Sequence, residues 1–207
     1  LESARRYGRF LRYSTPAALL NNLGGRLPVL ILLFFFDAEA VAFYGLAHGS
    51  IAVPLNLING ATGQVFFGRA PEAIREDRLS SLTREVAVRL VSVALPAALL
   101  ALWIGPLLFE TVFGGAWRTA GVFARYLAPW LVLAAIASPL TRLFDLLEAQ
   151  RLDFRFSAGM FVVHTSALLG ACAWMGPVGA LAVYGGVGLV LRLLHLGVLL
   201  DLAEVRA

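Results

Sequence analysis

The sequence predicts an all-α integral membrane protein, a bundle of six transmembrane helices. Three observations predict it. Of 207 residues, 59% are apolar and only 14% charged, whereas soluble domains run at about 45–50% apolar and about 25% charged. Six stretches approach the roughly 20 apolar residues needed to cross a bilayer core. The connections between those stretches alternate strictly between Arg-rich and Arg-poor.

The six spans are Ala17–Phe36, Val41–Phe67, Leu90–Phe109, Gly121–Leu140, Ser157–Met175 and Val178–Leu200. The second is longer than a crossing needs and is expected to tilt or to break near Pro54. All basic residues are Arg. Thirteen lie in the N-terminal tail, between spans two and three, between four and five, or after span six. The opposite connections hold Arg118 alone. That asymmetry predicts a multi-pass protein with cytoplasmic termini.

No signal-peptide pattern precedes the first span. The chain opens at Leu1 with Arg5, Arg6, Arg9 and Arg12 close behind, and it reads as a segment of a longer protein. The whole of 1–207 reads as a single membrane lobe.

Residues 69–89 alternate charge with Ile74, Leu79, Leu82 and Val86. Leu79, Leu82 and Val86 follow helical spacing, so an amphipathic helix on the cytoplasmic surface is expected, with Pro71 in its first turn. Glu110–Gly121 is the one sizeable outer loop. Gly114-Gly115 should break the helix there, and Trp117 with Arg118 should anchor it at the interface. The lone Cys172, inside an apolar span, should simply pack.

The polar residues of the first two spans carry the functional reading. On a helical wheel, His48, Asn56, Asn59 and Gly45, Gly49, Gly60 and Gly63 share one arc of about 120°, with Gln64 at its edge. Small residues in a stripe allow close helix packing with Asn bonding across it; the other reading is a wall of a hydrated cavity. Asn22 and Arg26, spaced i, i+4 on span one, favour the cavity, because two neighbouring polar faces, one of them cationic, then meet. Such a cavity suits an anionic, hydroxyl-rich substrate, since arginine bonds phosphate bidentately.

Arg125 in span four either snorkels outward or binds phosphate. Arg192 and His195 share a face of span six, where Arg192 could reach the interface or pair with Asp201. His164, Thr165 and Ser166 read as packing. Asp145 and Glu148, beside Arg142 and Arg151, read as a surface ion-pair cluster. Pro96, Pro129 and Pro139 suit helices of transporters that bend. Walker, zincin, paired CxxC and nucleophile-elbow motifs are missing from the sequence. No enzyme activity, cofactor, metal or nucleic-acid partner is expected.

The run LPVLILLFFFDAEAVAFYGLAHGSIAVPLNLINGATGQVFFGRAPEA, starting at Leu27-Pro28, resembles the polysaccharide-biosynthesis flippases of O-antigen and exopolysaccharide type, within the multidrug/oligosaccharidyl-lipid/polysaccharide exporter superfamily. Phe36-Asp37, Tyr44-Gly45, Pro54 and Gln64-Val65-Phe66 carry the likeness, as do Val112–Gly121 and Leu127–Thr141. It extends over Pro16 to about Leu152. At position 48, where relatives commonly have Arg, this chain has His, largely neutral near pH 7.

The resemblance implies one lobe, the C-terminal one, of a twelve-helix, two-lobe transporter. The implied activity is flipping of an undecaprenyl-pyrophosphate-linked oligosaccharide to the outer leaflet of a bacterial inner membrane by alternating access. Implied partners are that lipid-linked oligosaccharide, the lipid bilayer, an N-terminal six-helix lobe and the polysaccharide polymerase machinery. The expected substrate-binding set is Asn22, Arg26, His48, Asn56, Asn59, Gln64 and Arg125. The alternatives are a drug/cation antiporter, disfavoured because no Asp or Glu lies inside the six spans, and a non-transporting scaffold of a synthesis complex.

Overall fold

A computed structural model describes the backbone of residues 2–147 and 149–205, and side chains from 15 to 147 and 149 to 204. The tail arginines Arg5, Arg6, Arg9 and Arg12, together with Arg206 and Glu148, lie outside the described side chains. Among the described residues the chain is helical throughout, without strands. Its elements are α1 (Glu2–Phe35), α2 (Ala38–Arg75), α3 (Leu79–Phe113), a 3₁₀ turn (Gly115–Trp117), α4 (Arg118–Leu140), the short α5 (Arg142–Leu146), α6 (Gln150–Trp174) and α7 (Pro177–Val205). Six of these helices are long and apolar enough to cross a membrane.

The helices overrun the apolar spans. α2 has 38 residues, about 57 Å at 1.5 Å per residue, and Pro54 does not break it. Its start is set by Asp37, whose Oδ1 accepts from the Ala40 backbone N–H at 2.8 Å. Glu39 follows in the first turn, where the helix dipole favours an acid. Of Asp37–Ala40, the four residues between the first two expected spans, only Asp37 lies outside the helix.

Residues 69–89 are not a separate surface helix. α2 runs to Arg75, the chain turns at Glu76–Arg78 with Asp77 at φ 56°, and α3 begins at Leu79. Leu79 and Val86 are buried and Leu82 partly so. The amphipathic face that periodicity reveals is thus covered by protein rather than by headgroups. The break at Gly114 does occur as expected, at φ 96°, a value glycine adopts without strain.

α4 is the central helix. Two thirds of its apolar window (67%) is buried, against a third or less (17–33%) for the other five. It packs on α2, α3 and α7, while α1 leans mainly on α6 and touches α2 sparingly. Small residues permit this. A Cβ on Gly121 would stand 2.5 Å from Pro106 Cα and meet the Gly105 carbonyl, so α3 and α4 cross backbone to backbone. Gly185 of α7 lies against the Tyr126 carbonyl of α4 in the same way.

Two cores result. One fills the end where α1 joins α2 and α6 joins α7, around Leu32, Tyr44, Phe123, Leu127, Leu168 and Tyr184. Cys172 packs there, as expected. The other lies toward the Arg-rich end, around Phe66, Leu79, Ile136, Leu140, Phe144 and Leu199.

Candidate functional site

Between α1, α2, α4, α6 and α7, beside the second core, lies a cavity of about 1090 Å³. Thr141, Arg142, Asp145 and Asp153 mark its mouth at the Arg-rich end, and the first core closes the other end. Where α1 and α2 part below their hairpin, the cavity is also open to the side, because Asn56, Gly60 and Gln64 are exposed.

One wall is the polar arc of α2. His48, Asn56, Asn59, Gly60, Gly63 and Gln64 all line the cavity. The phase of the wheel survives Pro54 because the helix is continuous there. The glycines decide between the two readings of this stripe. Among the described residues, a Cβ on Gly45, Gly49 or Gly60 would meet nothing within 4 Å, and one on Gly63 would find only Pro139 Cβ at 3.9 Å. Close packing uses Gly105, Gly121 and Gly185 instead, so the α2 stripe borders open space. His48 stacks on Tyr44 with ring centroids 5.5 Å apart, and Asn59 Oδ1 has no donor among the described residues.

The facing wall comes from α6 and α7. Asn21 Nδ2 of α1 donates to Ser157 Oγ at 3.2 Å, and that hydroxyl donates in turn to Asp153 Oδ1 at 3.4 Å. Arg192 and His195 also border the cavity. Arg192 Nη1 lies 3.4 Å from His195 Nδ1. The imidazole is sandwiched by Phe156 at 5.3 Å and Phe144 at 6.0 Å. No carboxylate lies within ion-pairing distance of Arg192 among the described residues; Asp201 is not its partner. Interface and ion-pair readings of Arg192 both give way to a cavity-lining one.

A side pocket of about 130 Å³ continues from the cavity between α1, α6 and α7. Asn21, Trp130, Ser157 and Arg192 border both spaces and form the neck between them. Trp130 meets His164 and Tyr184 edge-on at 5.2 and 5.6 Å, and His164 Nε2 bonds the Tyr184 carbonyl at 2.9 Å. His164 is therefore a satisfied packing residue that also edges the pocket.

Of the expected binding set, His48, Asn56, Asn59 and Gln64 are brought together. Asn22, Arg26 and Arg125 are not. Asn22 is exposed and donates to its own Ala18 carbonyl at 2.8 Å. Its neighbour Asn21, about 100° away around the helix, takes the place in the cavity. Arg26 shares the exposed face of Asn22. Arg125 stands about 150° around α4 from the cavity-facing Trp130, Ala134 and Ser138.

The structure adds Asn21, Ser157, Asp153, Asp145, Arg142, Arg192 and His195 to the site. Asp145 and Asp153 lie outside the six spans read from the sequence, on α5 and α6, yet they line the same cavity. The argument that no carboxylate enters the spans loses its force here. No group of three or more metal-ligating side chains occurs among the described residues. Comparison of the chain with family models, with curated proteins and with solved structures finds no match in any of the three.

Proposed function

We propose that this chain is one lobe of a transporter that flips a lipid-linked, undecaprenyl-pyrophosphate oligosaccharide to the outer leaflet for surface polysaccharide synthesis. The observation that carries the reading is the open polar stripe of α2 facing Arg192 across a cavity of about 1090 Å³. Neutral amides and an imidazole suit sugar hydroxyls, and an arginine without a carboxylate suits phosphate. The likeness to polysaccharide flippases points the same way. No bond is made or broken, so the protein acts as a transporter and not as an enzyme.

In this reading the Arg-rich end faces the cytoplasm of a bacterial inner membrane, both ends of the chain are cytoplasmic, and the cavity is loaded from within. The exposed flank of Asn56, Gly60 and Gln64 is covered by an N-terminal six-helix lobe, completing twelve helices around a shared path. Polymerase machinery receives the product on the outer side.

The test is flipping of the native lipid-linked oligosaccharide by the full-length protein in liposomes. Asn56→Leu with Asn59→Leu should abolish it at unchanged protein yield. Flipping at the wild-type rate would overturn the site, and no flipping by the wild type would favour a scaffold role.

A second reading has its own observation. Asp145 and Asp153 at the mouth fit a drug/cation antiporter, in which a carboxylate carries the coupling ion. Efflux of organic cations driven by an imposed proton or sodium gradient, and lost in Asp153→Asn, would select it.

A further inference from the structure

Arg125 is left without a role in the cavity, and its surroundings suggest a different one. It sits where α3 and α4 cross at Gly105 and Gly121, on the side of α4 turned away from the cavity. Its Nη2 donates one long bond, 3.4 Å, to the Trp103 carbonyl. Its Nε is buried and has no acceptor among the described residues. Among the described residues no carboxylate comes within ion-pairing distance of it. A guanidinium carries five N–H donors, so most of its hydrogen-bonding capacity is unspent.

Depth can be read from a nearby landmark. Arg118 and Glu110 pair at 2.7 Å where α3 and α4 approach their connecting turn. Arg125 and Trp103 each lie seven residues deeper on their own helices, about 10 Å at 1.5 Å per residue. The surface at that depth is apolar: Trp103 is 75% exposed, flanked by the exposed Leu99, Leu100 and Leu107. An arginine at such a position draws headgroups and water inward rather than standing bare in hydrocarbon.

We propose that Arg125, beside the exposed Trp103, binds the phosphate of a membrane phospholipid and pulls that headgroup into a local thinning of the leaflet. The bonds are charge-assisted, and the guanidinium fork matches two phosphate oxygens. The apolar surround means the anion must arrive on a hydrocarbon tail. This site is independent of what the central cavity carries.

The full-length protein, delipidated in detergent, is examined by native mass spectrometry with phosphatidylglycerol, and with diacylglycerol as the phosphate-free counterpart. Retained phosphatidylglycerol on the wild type, with little diacylglycerol, is expected. Arg125→Gln should weaken retention about tenfold and Arg125→Lys less, because a single ammonium keeps charge but loses the fork. Arg118→Gln should leave it unchanged. Equal retention of the two lipids by the wild type overturns the proposal without any variant. Retention unchanged in Arg125→Gln overturns it too. Full blockade of phosphatidylglycerol retention by millimolar inorganic phosphate would assign the site to free anions and overturn the lipid claim. An absence of binding would show that another part of the full-length protein already satisfies Arg125, and it would overturn it as well.

Discussion

Arg192 and His195 stand one turn apart on α7, Nη1 to Nδ1 at 3.4 Å, with no carboxylate paired to the guanidinium among the described residues. The imidazole is fixed between two phenyl rings, so the arginine is the adaptable member. Arg192→Gln should lower flipping of the native substrate by about ten- to a hundredfold, the range for losing one charge-assisted contact. The check is initial rate in liposomes, normalised to inserted protein.

Arg26 gives the contrast. It shares an exposed face of α1 with Asn22, away from the cavity. Arg26→Gln should retain more than about half of the wild-type rate, as surface changes mostly do. A loss equal to that of Arg192→Gln would show that a second lobe folds this face of α1 into the path.

The two kinds of glycine should separate in stability. Gly49→Ala and Gly60→Ala add a methyl group into open space and should leave the melting temperature in detergent within about 2 °C of wild type, matching neutral surface changes. Gly121→Ala and Gly185→Ala drive a methyl into the backbone of a neighbouring helix. They should destabilise by about 1–3 kcal/mol or more.

Access should be one-sided. Cys172 is buried, 6% exposed, and should resist a membrane-impermeant maleimide. In a Cys172→Ala background, Asn56→Cys and Ser138→Cys should label from the Arg-rich side and not from the other. Leu32→Cys, in the closing core, should label from neither. With substrate and gradients absent, labelling of Asn56→Cys at equal rates from both sides would show a channel instead of a cavity closed at the hairpin end.

Breaking the Asn21–Ser157–Asp153 chain with Ser157→Ala should cost about 1 kcal/mol, the net worth of a typical buried hydrogen bond. Thermal unfolding monitored by tryptophan fluorescence reports it.

The six crossings were legible because apolar length alone specifies them, and the α2 arc because helical phase persists over 38 residues. The facing wall was not. Hydropathy leaves charged helix ends outside the spans, so Asp145 reads as part of a surface ion-pair cluster and Asp153 falls between spans four and five, although α5 and α6 carry both into the cavity. Asn21 and Asn22 differ by one position and therefore by about 100°. Only the packing of α1 on α6 says which of them points inward. Arg125 needed knowledge that α4 is the central helix, with one side to the cavity and the other to α3. No periodicity within α4 states that.

α2 also has a mechanical meaning. It is one unbroken rod of 38 residues, about 57 Å long; at its middle Ile51, Leu55 and Ile58 bear on the core while the glycine arc beside them borders open space. Such a rod is a see-saw. Rocking it about 10° around its midpoint moves its two tips by about 5 Å in opposite directions, given a half-length of about 28 Å. Prising the hairpin end apart would then press the Arg-rich end shut by the same stroke, with the contact of Ile51, Leu55 and Ile58 on the core as fulcrum.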